Sequence, residues 1–376
     1  MVQEDLKSNI RVDYLLLGIS LTLVIVGIIM VYSASAHLAS RRFNNSFYFA
    51  QKQMAFALLG LLVMGIFRFI PYQYYQKWVY WLLGGTFFLL ILVLIPGLGF
   101  RMGGASRWFR LGGISLQPAE FSKLVVVIFL SYYLTKHRDL IKTLRQGLAV
   151  PGAIVILLVG LVLMEPDLGM AISLLMITGI LLFVGGTRLR HLFLAVLPLI
   201  PMGYFLIWKV PYRKMRVLSY LDPWKDPLGS GFHLKHSFLA FGSGGLTGQG
   251  LGGSQQKLFY LPEPHTDFIF SIVGEEFGFL GVAFLTTLYL VLVIKSLRLA
   301  LKGQDLFGLY LTVGISIMIG FQAFINILVV MGLLPTKGLT LPFISYGGSS
   351  LLLNLICIGI LMNISAQQQG ERECES

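Results

Sequence analysis

Charged residues are scarce in this sequence. Lys, Arg, Asp and Glu make up 12% of the 376 residues, and only 17 positions are acidic, whereas soluble globular domains carry about 25% charged residues. Hydrophobic residues make up 56% of the chain, and the mean hydropathy is +0.78. This composition excludes an ordinary soluble domain and indicates a protein that crosses a membrane many times.

Cysteine is also rare, and several common catalytic motifs are missing. The two cysteines, Cys357 and Cys374, argue against a disulfide framework and against a cysteine-based metal site. His233 and His236 lie three residues apart, but no third ligand follows at a suitable spacing. The glycine-rich stretch 242–253 lacks the Gly-Lys-Ser/Thr of a nucleotide loop, and no Gly-X-Ser-X-Gly nucleophile motif occurs.

Long apolar runs dominate what is present. They predict an all-α polytopic membrane protein with about ten transmembrane helices in a single domain, residues 1–376. Residues 209–266 form one long extracytoplasmic loop between helices 7 and 8, in which 212–221 and 232–241 have the pattern of short interfacial helices. The ten runs are 14–34, 51–69, 78–98, 117–135, 149–165, 168–186, 190–208, 268–294, 306–332 and 345–365.

The distribution of the basic residues predicts the orientation. With both termini in the cytoplasm, the inner segments carry more Lys and Arg than the short outer loops, as the positive-inside rule requires. The long outer loop is basic as well, with Arg213 and Arg216 near its start. This outer charge indicates either a solvated loop surface or a site for an anionic ligand such as a phosphate-bearing lipid.

Three carboxylates lie where the long loop meets the eighth span. Carboxylates in a membrane are costly, so Asp267, Glu275 and Glu276 are functional candidates. Asp267 is either a functional group at the mouth of the span or part of an ordinary helix N-cap with Thr266. For Glu275 and Glu276 we expect pairing with basic partners inside the bundle. On a continuous helix, small residues share the face of Asp267, which lets another helix approach: Ser271, Gly274, Gly278 and Gly281.

Two further segments carry polar groups at the ends of spans. Glu120 and Lys123 lie three residues apart on the fourth span, so Lys123 pairs either with Glu120 or with Asp267 across the bundle. Glycines and serines around Ser349 begin the last span, where backbone N–H groups form either an anion seat or a plain helix cap.

Several motifs belong together as a set. They are Val31-Tyr-Ser-Ala-Ser35, Ala105-Ser-Arg-Trp-Phe-Arg-Leu111, Gln117-Pro-Ala-Glu-Phe-Ser-Lys123, Pro166-Asp-Leu-Gly169, Leu221-Asp-Pro-Trp224, Gly242-Ser-Gly-Gly245, Gln256-Lys-Leu-Phe-Tyr-Leu-Pro-Glu263, His265-Thr-Asp-Phe-Ile-Phe270 and Pro335-Thr-Lys-Gly-Leu-Thr-Leu-Pro-Phe-Ile-Ser-Tyr-Gly-Gly-Ser-Ser350. With this set the chain resembles, over nearly its whole length, the SEDS family of shape, elongation, division and sporulation proteins. Its Pro-Thr-Lys-Gly-Leu-Thr form is similar to the division branch.

The resemblance implies a ten-helix peptidoglycan glycosyltransferase that polymerises lipid II at the outer face of the bacterial cytoplasmic (inner) membrane, at the division septum. It implies a class B penicillin-binding protein transpeptidase and other divisome membrane proteins as partners, and no nucleic acid. Asp267 takes the place of the family's essential aspartate, as general base or as ligand of a divalent metal, Mg or Mn, with no cofactor otherwise expected. For substrate and pyrophosphate binding we expect Glu120, Lys123, Arg107, Trp108, Arg213, Arg216, His265 and Ser349.

Two departures from the family pattern and three alternative functions remain. His233 and His236 stand where the family has glutamines, and Glu165 stands where it usually has a glutamine. The charges within the spans are also compatible with a lipid II flippase, and the family resemblance also with an elongation polymerase of the other branch. A scaffold that only recruits the transpeptidase is the non-enzymatic reading.

Overall fold

The computed structural model describes residues 12–102, 105–111, 114–225, 231–257, 264–303, 305–336 and 338–375. Within these ranges the chain is mainly helical, and a three-stranded sheet follows the third helix. The helices are α1 Tyr14–Phe43, α2 Tyr48–Phe69, α3 Tyr74–Leu94, α4 Pro118–Lys136, α5 Val150–Met164, α6 Leu168–Val184, α7 Leu189–Trp208, α8 Pro211–Leu221, α9 Phe232–Gly244, α10 Ile269–Lys302, α11 Leu306–Val330 and α12 Gly348–Glu375.

The ten predicted spans correspond to ten apolar helices in this described part. Nine helices have the length and composition to cross a membrane, α5 together with the preceding π-turn Arg145–Ala149. The tenth, α6, is equally apolar but has 17 residues. The chain is therefore an all-α membrane protein, and two short helices, α8 and α9, lie within residues 209–266.

Local sequence explains several helix starts. The carboxylate of Asp167 accepts a hydrogen bond from the backbone N–H of Met170 (3.0 Å) at the start of α6, and that of Asp305 accepts from Gly308 (2.9 Å) at the start of α11. Each satisfies a backbone donor that the first helical turn leaves unpaired. Pro118 occupies the first turn of α4, where no backbone donor is needed.

Small residues bring the central helices together. A Cβ on Gly359 of α12 would lie 2.6 Å from the backbone carbonyl oxygen of Met64 on α2, so a larger residue there would force the two helices apart. The whole apolar stretch of α12 is buried, as is most of α4, whereas only 6% of the apolar stretch of α7 is buried. The core therefore centres on α4 and α12, and α7 lies against the bundle edge.

A small antiparallel sheet lies between the third and fourth predicted spans. The strands are β1 Phe100–Met102, β2 Ala105–Leu111 and β3 Ile114–Leu116, in the order β1-β2-β3. The register pairs Phe100 with Trp108 and Phe109 with Leu116. The signal that was missed is a pair of glycines between consecutive strands, which is typical of tight hairpins.

The eighth span is a broken helix. It begins at Ile269, and Gly278 has a positive φ of 64°, so α10 consists of two helical halves. The prediction of one continuous helix face from Asp267 to Gly281 is therefore wrong below Gly278. A Cβ on Gly278 would lie 2.4 Å from the backbone nitrogen of Gly248, which explains why glycine is needed at the break.

The glycine-rich segment 242–253 completes the backbone hydrogen bonds that this break opens. Such completion is required wherever irregular backbone lies at membrane depth. The donors and acceptors pair as Gln249 N–H to Glu275 O (2.9 Å), Gly250 N–H to Glu276 O (3.0 Å), Phe279 N–H to Gly245 O (2.9 Å) and Leu280 N–H to Leu246 O (3.2 Å). The glycine-rich segment thus has a structural role in stabilising the break in α10.

The predicted close approach to the upper half of α10 is present. A Cβ on Gly244, at the end of α9, would lie 1.9 Å from the carbonyl oxygen of Gly274. A Cβ on Gly274 would in turn meet the ring of Phe241 at 2.4 Å. The helix that uses the small-residue face is therefore α9.

Candidate active site at one end of the bundle

Asp267 lies in the turn that precedes α10 and is half-buried. The N-cap residue of α10 is Phe268, which makes no side-chain capping bond, so the N-cap position lies one residue after Asp267 and two after Thr266. The carboxylate lies against Gly338, where one oxygen is 3.2 Å from the position of a Cβ.

Three successive carbonyl oxygens hold this turn in place. Each accepts a hydrogen bond from α11 or from the segment before α12. Because each backbone group is fixed by a separate partner, the turn has a defined position at the end of the bundle. The bonds are Tyr346 N–H to His265 O (2.8 Å), Ser345 Oγ–H to Thr266 O (2.7 Å) and Asn326 Nδ2–H to Asp267 O (2.9 Å).

Lys123 forms the local ion pair. Its ammonium is 2.7 Å from a carboxylate oxygen of Glu120, and both side chains are buried. It also donates to the amide oxygen of Gln322 on α11 at 2.6 Å. Of the two predicted partners of Lys123, the structure shows Glu120. Lys123 also links this ion pair directly to α11 through Gln322.

One face of α11 connects this ion pair to Asp267. Gln322 and Asn326 are one turn apart. The Gln322 amide donates to the carbonyl oxygen of Thr340 at 2.9 Å, and the Asn326 amide donates both to Asp267 and to Leu339 O (2.5 Å). Lys123 on α4 and the backbone of Asp267 are therefore both held by α11, which also binds residues 339–340 of the segment before α12.

Arg107 projects from β2 onto the turn between α5 and α6. Its guanidinium donates to the carbonyl oxygens of Glu165 (2.7 Å) and Pro166 (2.6 Å), and lies 3.4 Å from the carboxylate of Asp167. The side chain is still 28% exposed. The neighbouring Trp108 is half-buried. Arg107 is therefore both an anchor of this turn and a partly exposed cation.

Glu165 was noted only as a departure from the family pattern, yet its environment is unusual. It is fully buried, and neither carboxyl oxygen has a hydrogen-bond partner among the described residues. Burial, reinforced by Asp167 and opposed by Arg107, raises the pKa of Glu165 to about 8. The group is thus mostly a neutral acid at pH 7.

The Ser349 hydroxyl makes hydrogen bonds to the backbone of neighbouring segments. Its hydroxyl accepts from the backbone N–H of Gln117 at 2.9 Å and donates to the carbonyl oxygen of Ser115 at 3.2 Å. It therefore ties the start of α12 to the start of α4. The amide of Gln117 reaches Asp167 at 3.4 Å, which joins this contact to the Arg107 turn.

His265 is buried beside Asp267 and remains neutral. Its ring lies 4.4 Å from that of Phe49 and 5.4 Å from that of Tyr346, measured between ring centroids. Burial, with a smaller contribution from Arg42, lowers the pKa of His265 to about 4. Its neutral ring packs between these two aromatic rings.

The two arginines of the long loop differ in burial. Arg213 is buried and donates to the carbonyl oxygen of Leu206 at 3.1 Å, so it holds the corner between α7 and α8. Arg216 is exposed. Burial lowers the pKa of His233 on α9, and the charge of Arg216 makes a smaller contribution in the same direction. The His233 ring stacks on Phe268 at 5.4 Å, which places α9 directly beside the Asp267 turn.

The two deeper glutamates have different partners. Glu276 is 2.7 Å from the ammonium of Lys257, as the expected pairing with a basic residue requires. Glu275 accepts instead from a hydroxyl and from backbone N–H groups of the segment 254–256. The sequence could not identify Lys257 as a partner because it belongs to the long loop rather than to a span.

A protein-only metal cage does not form in the described ranges. No three His, Cys, Asp or Glu side chains there converge on a common point. A divalent cation beside Asp267 would therefore take most of its ligands from substrate phosphates and water, as Mg²⁺ commonly does.

The sequence is similar to known proteins along nearly its whole length. A family model for FtsW, RodA and SpoVE, described as a cell cycle protein, matches residues 13–370. A protein of Geobacter sulfurreducens named "Probable peptidoglycan glycosyltransferase FtsW" is 44% identical over 367 residues, which cover 97% of this chain and 98% of that protein. Stage V sporulation protein E of Bacillus subtilis is 45% identical over 355 residues, 94% of this chain and 96% of that protein.

Two solved structures share the fold. One comes from a study of "polymerization and crosslinking by a peptidoglycan synthase complex" and has a TM-score of 0.79, 30% identity, and coverage of 96% of this chain and 99% of that chain. The other, the rod shape determining protein RodA of Thermus thermophilus, has a TM-score of 0.70, 29% identity, and coverage of 94% and 97%.

Proposed function

Because this chain belongs to the FtsW, RodA and SpoVE family of cell cycle proteins, we propose that it is a peptidoglycan glycosyltransferase that polymerises lipid II. Its relatives with FtsW names carry this activity in their names and align along nearly the full chain. The observation that carries the proposal is the half-buried Asp267 at the end of the bundle, whose backbone is held by Asn326 one helical turn from Gln322, the hydrogen-bond partner of Lys123.

The geometry suits transfer of a sugar from a pyrophosphate lipid. An acceptor hydroxyl gives its proton to the Asp267 carboxylate and attacks the anomeric carbon of the donor. The new glycosidic bond forms as the bond to the pyrophosphate oxygen breaks, and the lipid pyrophosphate leaves. A positioned base contributes about 10²- to 10⁴-fold, so cations must stabilise the leaving group as well.

The candidates for that stabilisation differ in availability. Arg107 is partly exposed and Arg216 is exposed. Lys123 is buried against Glu120, so it acts on the local potential rather than by direct contact with solvent-exposed phosphate. A Mg or Mn ion held by Asp267 and the substrate phosphates would add charge at the same place, with Asp267 then acting as its ligand.

We place the protein in the bacterial inner membrane with both termini in the cytoplasm. The excess of basic residues on the inner segments supports this orientation. A class B penicillin-binding protein transpeptidase is the proposed partner, supported by the fold match to a chain of a peptidoglycan synthase complex. The FtsW names of several relatives, together with the Pro335–Thr340 motif, support action at the division septum rather than in elongation.

The flippase alternative receives less support. It was motivated by charges within the spans, and a polar path needs such charges to face a continuous cavity. Lys123 is engaged by Glu120 and Gln322, and Glu276 is engaged by Lys257. These charges hold the protein together at one end, which favours chemistry at the surface of the membrane.

The test is lipid II polymerisation by the purified protein together with its transpeptidase partner, with and without divalent metal. We expect glycan polymer from the wild type and none from Asp267→Asn, which keeps the size of the side chain. Asp139→Asn is a matched control, because Asp139 is exposed outside the site. Polymer formation by folded Asp267→Asn would exclude Asp267 as base, and a wild type that makes no polymer would overturn the proposed activity.

A further inference from the structure

An ion pair closes the chain around Asp267. Lys257 lies ten residues before Asp267 and Glu276 nine residues after it. The Lys257 ammonium is 2.7 Å from the Glu276 carboxylate, with side-chain exposures of 8% and 0%. The chain that enters the Asp267 turn is therefore tied to the helix that leaves it.

The first span fixes this closure to the bundle. The hydroxyl of Ser33 on α1 donates to both oxygens of Glu276, at 2.6 and 2.8 Å, and accepts from the Lys257 ammonium at 3.1 Å. All three side chains are buried. Such a buried pair forms reliably only when its hydrogen bonds are satisfied, and here the third residue satisfies them.

The break at Gly278 gives such a tie a role. A continuous helix would carry Asp267 at a position set by the whole span. Because α10 breaks at Gly278, the short upper half that begins at Ile269 is not oriented by the lower half. Glu276 lies two residues before the break, so its side-chain partners, together with the backbone bonds from residues 245–250, orient the half-helix that follows Asp267.

We propose that Ser33, Lys257 and Glu276 form a positioning clamp that sets the orientation of the Asp267 turn for the glycosyl transfer, an inference that rests on the proposed function. The clamp does not touch the substrate. It acts by holding the upper half of α10 against α1, so its loss leaves substrate binding largely intact and misplaces the carboxylate. A displacement of about 1 Å lowers a rate about 100-fold.

An ion pair that joins the lower half of α10 to the start of α1 provides the control. The Lys295 ammonium, on the lower half of α10, is 3.0 Å from the carboxylate of Asp13, the N-cap residue of α1. A purely structural account of the clamp predicts that Lys295→Met and Lys257→Met have the same consequences. The positioning account predicts a lower kcat only for Lys257→Met.

The experiment compares the single variants Lys257→Met and Glu276→Gln, the double variant, and Lys295→Met, in the complex with the transpeptidase. We expect kcat to fall about 100-fold in both clamp variants, with KM changed less than about 3-fold. The double variant removes both buried charges, so its thermal stability should return towards that of the wild type while kcat stays low. Lys295→Met should lose stability but keep kcat.

Hydrogen exchange of peptides from residues 264–276 gives a readout that does not need activity. Faster exchange in the clamp variants, and wild-type exchange in Lys295→Met, support the clamp even if the wild type proves not to polymerise lipid II, a result that would overturn the proposed function alone. Wild-type exchange in the clamp variants overturns the clamp, as does recovery of both stability and kcat in the double variant.

Discussion

Replacing Glu165 with glutamine should make the protein more stable than the wild type, by a margin that grows as the pH rises from about 5 to 8. Glu165 is fully buried, and its pKa rises from 4.5 to about 8, chiefly because burial penalises the carboxylate. The folded state therefore keeps a proton that the unfolded chain releases between these two values. The contribution of Glu165 to the free energy of unfolding is full below pH 4.5 and falls as the pH rises towards 8. Glutamine does not titrate, so the variant lacks this loss.

The size of the effect follows from the shift. Each unit of pKa difference corresponds to about 1.4 kcal/mol, so at pH 7 the wild type has lost about 3 kcal/mol relative to a neutral side chain of the same shape. The buried amide of glutamine adds a constant cost that does not depend on pH. The diagnostic quantity is therefore the slope of the difference between variant and wild type, which should be steep from pH 5 to 8 and level above it.

Thermal unfolding in detergent, followed by tryptophan fluorescence from pH 5 to 9, measures this slope. The other titrating groups contribute equally to both proteins, so they cancel in the difference. Asp139→Asn removes an exposed negative charge and serves as the control. Parallel curves for wild type and Glu165→Gln would refute the reasoning, because they would show that Glu165 titrates alike in the folded and unfolded states.

Two further substitutions test the packing and the buried charges. Gly244→Ala places a Cβ 1.9 Å from the Gly274 carbonyl oxygen and should cost about 1–3 kcal/mol, whereas Gly242→Ala in the same helix meets nothing within 4 Å and should not; melting temperatures compare them, and equal values would contradict the close crossing. Lys123→Met leaves the Glu120 carboxylate buried and unpaired and should cost about 3–5 kcal/mol; adding Glu120→Gln should recover most of this, and additive losses in chemical unfolding would argue against the pair.

Much of the fold follows from the sequence, because a span is defined by its length of apolar residues and needs no knowledge of its neighbours. The location of Asp267 at the end of a span follows in the same way. The break at Gly278 does not, since glycine is common in membrane helices and the bonds that complete this one come from a segment about thirty residues earlier. A local pattern cannot reveal a partner at that separation.

The partners of the charges were predicted unevenly for the same reason. Glu120 and Lys123 are neighbours on one helix, so their pairing was among the stated alternatives. Lys257 is assigned by sequence to a polar loop, and its buried contact with Glu276 depends on that loop returning into the bundle. The neutral state of Glu165 likewise depends on burial from all sides, which no single segment encodes.

The broken helix also has a consequence for biogenesis. The upper half of α10 cannot satisfy its backbone alone, because the hydrogen bonds at Gly278 are completed by residues 245–250. These residues are synthesised before α10, so they are already outside the ribosome when the helix enters the membrane. The break therefore depends on the docking of that earlier segment, so the position of the Asp267 turn is set by tertiary assembly and not by membrane insertion alone.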